Sequence, residues 1–162
     1  MSAQERLNQM IDRFDTAMLV STSLEGKLRA RPMAIADHSE GAFLYFATRS
    51  EAEKLEEIKH APEVAVTFQD NEHFLSLSGR ASIEADVQLA RKLWSPSMKI
   101  WFPEGPDDPH LTLIVVDPDY AEFWDSGGLD KLEFLWQAGK ALVKDEAVDD
   151  SYLRGNAKVK PK

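Results

Sequence analysis

Residues 26–36 read GKLRARPMAIA, and three cations stand there at every second position: Lys27, Arg29 and Arg31. Successive side chains of an extended strand point to opposite faces, so these three share one face, about 7 Å apart between neighbours. Like charges held that close repel unless water or an anion lies between them. The chemistry they could do is anion binding: a phosphate held by guanidinium groups through charge-assisted hydrogen bonds worth roughly 1.5–3 kcal/mol each. The competing reading is a solvated strand face, the common fate of a charge run. Pro32 follows at once and suits a strand edge, where its missing N–H breaks no ladder.

A second group lies in TRSEAEKLEEI. Thr48 carries a hydroxyl able to donate to a phosphate oxygen, and Ser50 and Glu53 have the spacing of a capping box at a helix start. Helix N-termini receive phosphates through unpaired N–H groups and a partial positive charge. Lys54, one turn in, either reaches back to such an anion or pairs with Glu51 or Glu57 on the helix surface. Glu56 and Glu57 are adjacent, diverge on a helix and read as surface residues. Of the four tryptophans, Trp101 falls in a loop beside Phe102 and Trp124 near a strand end. Either could flank a flat aromatic ligand or pack in a core. Trp94 and Trp136 read as packing. Other chemistries find no support. His38, His60, His73 and His110 lack metal-site spacing, DDPH (107–110) lacks a second ligand group, and no serine sits in G-x-S-x-G. The chain has no cysteine, which excludes disulfides, thiolate metal sites and thiol nucleophiles.

The elements that must carry these residues follow from periodicity. Leu7, Met10, Ile11 and Phe14 recur at helical spacing and predict a helix over 2–13 capped by Ser2. Strands are predicted over 16–23, 29–36 and 42–48, with LEGK and DHSEG (37–41) as the turns between them. A helix over 50–61 ends at Pro62. Strands over 63–69 and 73–84 follow, with a bulge at Gly79. A helix over 86–94 starts on Asp86, a Pro-rich loop runs over 95–110, strands follow at 111–118 and 120–125, and a helix at 128–143. Six or seven short strands at hairpin spacing predict a mainly β (α+β) domain, an antiparallel barrel with peripheral helices. A parallel dinucleotide-binding sheet is not predicted, because no Gly-rich fingerprint is present. Residues 1–144 read as one domain and 145–162 as a polar, flexible tail.

The whole chain agrees. Its 162 residues carry 19 basic against 28 acidic side chains, a formal net charge of -9, which argues against nucleic acid or an anionic membrane as partner. No apolar run approaches the roughly 20 residues of a membrane span. MSAQERLNQM lacks the apolar core of a signal peptide, so the expected location is the cytoplasm.

The stretches RARPM, FLYFATRSEAEKLEEI, LSLSGRA, IWFPEGPDDPHLTLIVVDP and AEFWD, in this order, resemble the FMN-binding split barrels of the pyridoxamine 5'-phosphate oxidase-like family, and within it the bacterial general stress proteins. The resemblance spans roughly residues 5 to 140. It implies a six-stranded antiparallel split barrel and a homodimer with two flavin sites at the interface. It implies FMN, with FAD as the other candidate, and residues carried over by position. Arg31, Pro32 and Met33 would lie along the flavin with Arg29 as neighbour. Thr48, Ser50 and Lys54 would hold the phosphate and ribityl chain, Trp101 would border the ring, and Trp124 would reach FMN bound mainly by the other subunit. The chain departs from the oxidases at Ala52 and Glu53, where they carry Ser-Arg, near Phe74, where they carry Gln, and after Trp124, where DSGGLDKLEF replaces their Arg-x-His-Asp-Arg region. Pyridoxamine 5'-phosphate oxidase activity is therefore not expected. The expectation is an FMN-binding general stress protein, either a flavin-dependent oxidoreductase with an unknown small-molecule donor or acceptor, or a module that sequesters or senses flavin without turnover. A haem or deazaflavin binder on the same barrel ranks below both. No catalytic residue and no metal ligand is assigned.

Overall fold

A computed structural model describes residues 3–38, 43–125 and 157–159. The chain runs α1 (Ala3–Ile11), β1 (Thr16–Thr22), β2 (Leu28–His38), β3 (Leu44–Arg49), α2 (Glu53–His60), β4 (Glu63–Gln69), β5 (His73–Glu84), α3 (Val87–Leu93), β6 (Leu111–Asp125) and β7 (Ala157–Val159). Every strand pairing is antiparallel, and the order β3-β2-β1-β4-β5-β6 closes through β3–β6 into a six-stranded barrel. This is the split barrel expected from the sequence. β7 adds three residues to β6, Ala121–Phe123, beyond the point where β3 has ended.

Alternation builds the core. Leu19, Phe46, Val66, Leu77, Ile114, Val116 and Phe123 are all fully buried on the inner face, and each contributes roughly 1.5–3 kcal/mol through burial. The helical period works as predicted: Leu7, Met10 and Ile11 of α1 enter the core, Phe14 packs on it, and α2 sends in Leu55 and Ile58. Phe14 meets Phe68 with ring centroids 5.5 Å apart. The β1–β2 hairpin closes over Leu24, Glu25 and Gly26, with Ser23 N–H donating to the Lys27 carbonyl at 2.7 Å. Gly26 takes φ 79°, the left-handed conformation that such a three-residue loop requires at its last position.

Three expectations need correcting. The strands predicted over 111–118 and 120–125 are one strand, β6. Pro118 does not end it because it lies at a bulge, where the β5 register shifts between Ser78 and Gly79. Asp37 and His38, predicted in a turn, belong to β2, which pairs His38 with Leu44. The helix predicted from Ser50 begins at Glu53 with Ala52 as its cap. Ser50 N–H is instead taken by the His110 carbonyl at 2.8 Å, just past the last β3–β6 pair, and Ser50 and Glu51 form a turn in which Ala52 N–H donates to the Arg49 carbonyl at 3.0 Å. By contrast, Asp86 caps α3 as predicted, accepting from Gln88 and Leu89 N–H. The helix predicted over 128–143, Trp136, the Ser2 cap and most of the tail lie outside the described residues.

Candidate functional site

β2 leaves β3 early. The two pair only at Ile35, Asp37 and His38, whereas all of β1 pairs with β2, from Leu28 to Ala34. A groove opens where the strands part, between Pro32–Ile35 of β2 and Ala47–Arg49 of β3. Its volume is about 370 Å³, and Lys54, Ser95, Ser97, Met98, Trp101 and Phe102 complete its walls. The strand register says which backbone groups face it. Ile35 N–H donates across to the Asp15 carbonyl at 2.9 Å, so alternate residues Met33 and Arg31 also turn their backbone groups toward β1. The N–H and C=O of Ala34 and the C=O of Pro32 therefore face the groove side. Pro32 loses no ladder bond there, as a strand edge requires.

Beside this groove lies a second pocket of about 470 Å³, lined by Arg29, Ala30, Arg31, Ala52, Glu53, Lys54 and Glu57. Ala52 and Lys54 line both cavities, so the start of α2 stands between them. Because Ala52 offers no side-chain cap, no serine or threonine oxygen occupies this helix start.

The cationic stripe runs from exposed Lys27 and Arg29 to a partly buried Arg31. Arg31 is paired across the ladder with buried Leu19, and Arg29 with buried Ser21, so the side chains of each pair share a face. Arg31 donates from Nη1 to Ser21 Oγ at 2.7 Å and from Nη2 to Glu57 Oε2 at 3.0 Å. Ser21 Oγ in turn donates to the same Glu57 oxygen at 2.8 Å. Arg29 is more exposed, with Nη1 3.5 Å from Glu53 and 3.6 Å from Glu57. Lys27 is exposed and lines neither cavity. Glu57, read from the sequence as a surface residue, is only 2% exposed and is the hub of this network. Local spacing gave no signal for it, because a residue at i+2 from Leu55 does not share its helix face; the partners that hold its carboxylate, Arg31, Arg29 and Ser21, come from β1 and β2. Glu56 is exposed, as read. Lys54 is half-buried, and its ammonium pKa is lowered first by that burial and second by the nearby Arg31 charge.

Of the other residues singled out by sequence, Pro32, Met33, Thr48 and Trp101 line the groove, and Met33 and Thr48 are buried there. Trp101 is 66% exposed at the rim, beside the anchor Phe102 at 2%. The loop carrying them is tied down by a bidentate pair, Arg91 Nε to Asp107 Oδ1 at 2.7 Å and Nη2 to Oδ2 at 3.0 Å. Ser50 lines neither cavity, and its hydroxyl donates to Glu51 at 3.2 Å. Trp124 lines neither cavity either; it pairs with Phe74 on β5. In DDPH, Asp108 accepts from the N–H groups of Glu104 and His110, a loop-bracing role. Among the described residues no group of His, Asp and Glu is arranged to hold a metal ion, and no helix is long and apolar enough to cross a membrane.

Comparison with known proteins adds independent findings. The sequence profile of the family described as pyridoxamine 5'-phosphate oxidase like matches residues 2–149. General stress protein 26 of Bacillus subtilis is 28% identical over 134 residues, which are 78% of this chain and 94% of that protein. The crystal structure of general stress protein 26 from Bacillus anthracis matches with a TM-score of 0.69 at 30% identity, covering 76% of this chain and 94% of that one. The general stress FMN/FAD binding protein from Xanthomonas citri matches with a TM-score of 0.68 at 26% identity, covering 77% of this chain and 89% of that one.

Proposed function

The chain belongs to the pyridoxamine 5'-phosphate oxidase-like family, and on that premise we propose that it is a flavin-binding general stress protein, with FMN the smallest ligand that fills its site. The observation that carries the reading is the junction of two unlike cavities at Ala52 and Lys54. One is lined by Arg29, Arg31 and Lys54, the other by apolar and aromatic side chains with a backbone edge. A ligand with a phosphate at one end and a flat ring at the other spans both.

In this reading Arg31, Arg29 and Lys54 hold the phosphate beside the open start of α2. Thr48 lies along the ribityl chain. Met33, Met98, Trp101 and Phe102 cover the ring and keep water from it, while the Pro32 and Ala34 backbone groups meet its polar edge. A bound flavin supplies hydride or single-electron chemistry, and the protein supplies binding and orientation. Trp124, which lines neither cavity of its own chain, reaches the site of a second copy in this reading, and the working unit is a homodimer. Residues 1–144 form the binding domain.

A non-catalytic role has one observation in its favour: among the described residues no His, Asp or Glu lines the groove, which leaves Lys54 and Arg49 as the ionisable side chains there. Fluorescence titration with FMN and riboflavin tests the binding reading. FMN should bind about tenfold or more tightly than riboflavin, as expected for at least one charge-assisted phosphate contact. Equal affinities would remove the phosphate site, and no binding would remove the function. Anaerobic mixing of the loaded protein with NADH or NADPH then separates the roles: bleaching of the flavin spectrum marks an oxidoreductase, and a stable oxidised spectrum marks a flavin-holding module.

A further inference from the structure

Lys54 has three carboxylates as close neighbours in sequence, Glu51 and Glu57 three residues to either side and Glu53 beside it. A lysine on a helix surface ordinarily pairs with such groups. Here arginines hold all three: Arg49 lies 2.6 Å from Glu51, Arg29 3.5 Å from Glu53 and Arg31 3.0 Å from Glu57. Among the described residues Lys54 makes no ion pair, whereas Lys59 on the same helix is exposed and lies 2.9 Å from Glu56. The Lys54 side chain is half-buried, and burial first and the Arg31 charge second lower its pKa. More of it is therefore free amine near neutral pH than the ordinary lysine value allows.

The flavin reading uses this group only as a charge. A free amine is also a nucleophile, and a neighbouring cation favours that form. Lys54 stands between the pocket of about 470 Å³ that it shares with Arg29 and Arg31 and the groove that it shares with Met33, Met98 and Phe102. A ligand whose phosphoryl group sits on the two guanidinium groups has its next atoms beside Lys54. An alkyl phosphate offers no reactive carbon there. An acyl phosphate does, because its carbonyl carbon carries phosphate as a leaving group, and the arginines stabilise the charge that this group takes with it.

We propose that Lys54 is an acylation site for small acyl phosphates, which dock by the phosphoryl group on Arg29 and Arg31 and transfer the acyl group to Nζ. The Nζ lone pair forms the new N–C bond. The C–O bond to phosphate breaks with its electron pair on the phosphate oxygen, and the nitrogen loses one proton to solvent. The products are a neutral amide on Lys54 and inorganic phosphate, with nothing oxidised or reduced. Acylation removes the charge that Lys54 offers to a flavin phosphate, so acyl phosphate and FMN exclude each other. That consequence alone rests on the flavin reading above.

The test is peptide mass spectrometry of the full chain after timed exposure at pH 7.5 to acetyl phosphate or to p-nitrophenyl acetate, which carries the same acyl group without a phosphate. Acetyl phosphate should acetylate Lys54 about tenfold faster than exposed Lys59 or Lys99. Inorganic phosphate should slow it at Lys54 and leave Lys99 unaffected, and FMN should protect Lys54. In Arg29→Gln, at an exposed position that does not endanger folding, the rate ratio of acetyl phosphate to p-nitrophenyl acetate at Lys54 should fall by about tenfold, as expected for one lost charge-assisted contact. Labelling of Lys54 no faster than Lys99, a Lys54 rate indifferent to inorganic phosphate, or a ratio unchanged in Arg29→Gln overturns the proposal and leaves the flavin site standing. FMN that binds without protecting Lys54 overturns the shared pocket. Phosphate-sensitive acetylation of Lys54 in a chain that binds no flavin upholds the proposal and removes the flavin reading.

Discussion

Arg31 is at once a candidate ligand-binding residue and a structural one. Two of its five N–H groups are committed to Ser21 and Glu57, and the rest remain for an anion. Removing it leaves a carboxylate that is 2% exposed without its closest cation. Arg31→Ala should therefore lower the unfolding free energy by about 3 kcal/mol in urea denaturation. The double variant Arg31→Ala with Glu57→Leu should recover more than half of that loss, since it takes the stranded charge away. A double variant no more stable than the single one would mean that Glu57 is not held by Arg31. Lys54 behaves in the opposite way. Burial and the Arg31 charge lower its pKa from the usual 10.5, so the charged form weighs against the fold. That penalty is complete below the lowered folded value and is relieved as pH rises from there toward 10.5. Lys54→Met should leave the melting temperature of the ligand-free protein unchanged or higher at pH 7. The same change should weaken FMN, but not riboflavin, by about tenfold. A fall in both quantities would assign Lys54 to structure. Sequence made Arg31 and Lys54 legible through their types and spacing. Glu57 was not legible, because its burial depends on β1 and β2 packing against α2, and adjacency to Glu56 gives no hint of that.

Elements set by local residues were read correctly, and those set by distant partners were not. β4 and β5 fall where alternation and their bounding residues put them, and α3 starts on Asp86 because the cap acts within three residues. α2 starts three residues later than its serine suggests, because the carbonyl of His110, sixty residues on, takes the Ser50 N–H and a turn from Arg49 to Ala52 precedes the helix. β6 stays whole through Pro118 because it bulges there, fitting the extra residue Asp119 opposite the step from Ser78 to Gly79 of β5. That bulge depends on Gly79. A Cβ there would stand 2.1 Å from the Asp117 carbonyl oxygen and 2.6 Å from Pro118 Cα, both backbone atoms that cannot rotate away. Gly79→Ala should cost about 3 kcal/mol of stability, at the upper end for overpacking. Calorimetry should show a lowered melting temperature for it. Unchanged stability would mean that the β5–β6 ladder can slip to make room. The parting of β2 from β3, which creates the groove, had one sequence sign: Pro32, whose missing N–H points to the open side.

At the scale of the molecule, the described chain holds the two cavities together but keeps Trp124 apart from both, at the β6 end paired with the start of β5. If each flavin lies between two copies, the residues of one site come from different chains: Lys54 from one and Trp124 from the other. A complementation experiment reads this directly. Lys54→Met and Trp124→Ala should each weaken FMN when every subunit carries the change. A mixed dimer with one subunit of each kind then has one site with both defects and one site with neither, provided that Trp124 acts across the interface. Differently tagged subunits, co-expressed and doubly purified, should bind half an equivalent of FMN per chain with wild-type affinity. If Trp124 acted within its own chain, every site in the mixed dimer would carry one defect and no tight binding would return. A monomer in sedimentation would end the argument earlier, because a single chain brings no tryptophan from β6 to the groove. The half-equivalent of tight sites is the more demanding result, since it requires the dimer, the trans arrangement and the roles of both residues at once.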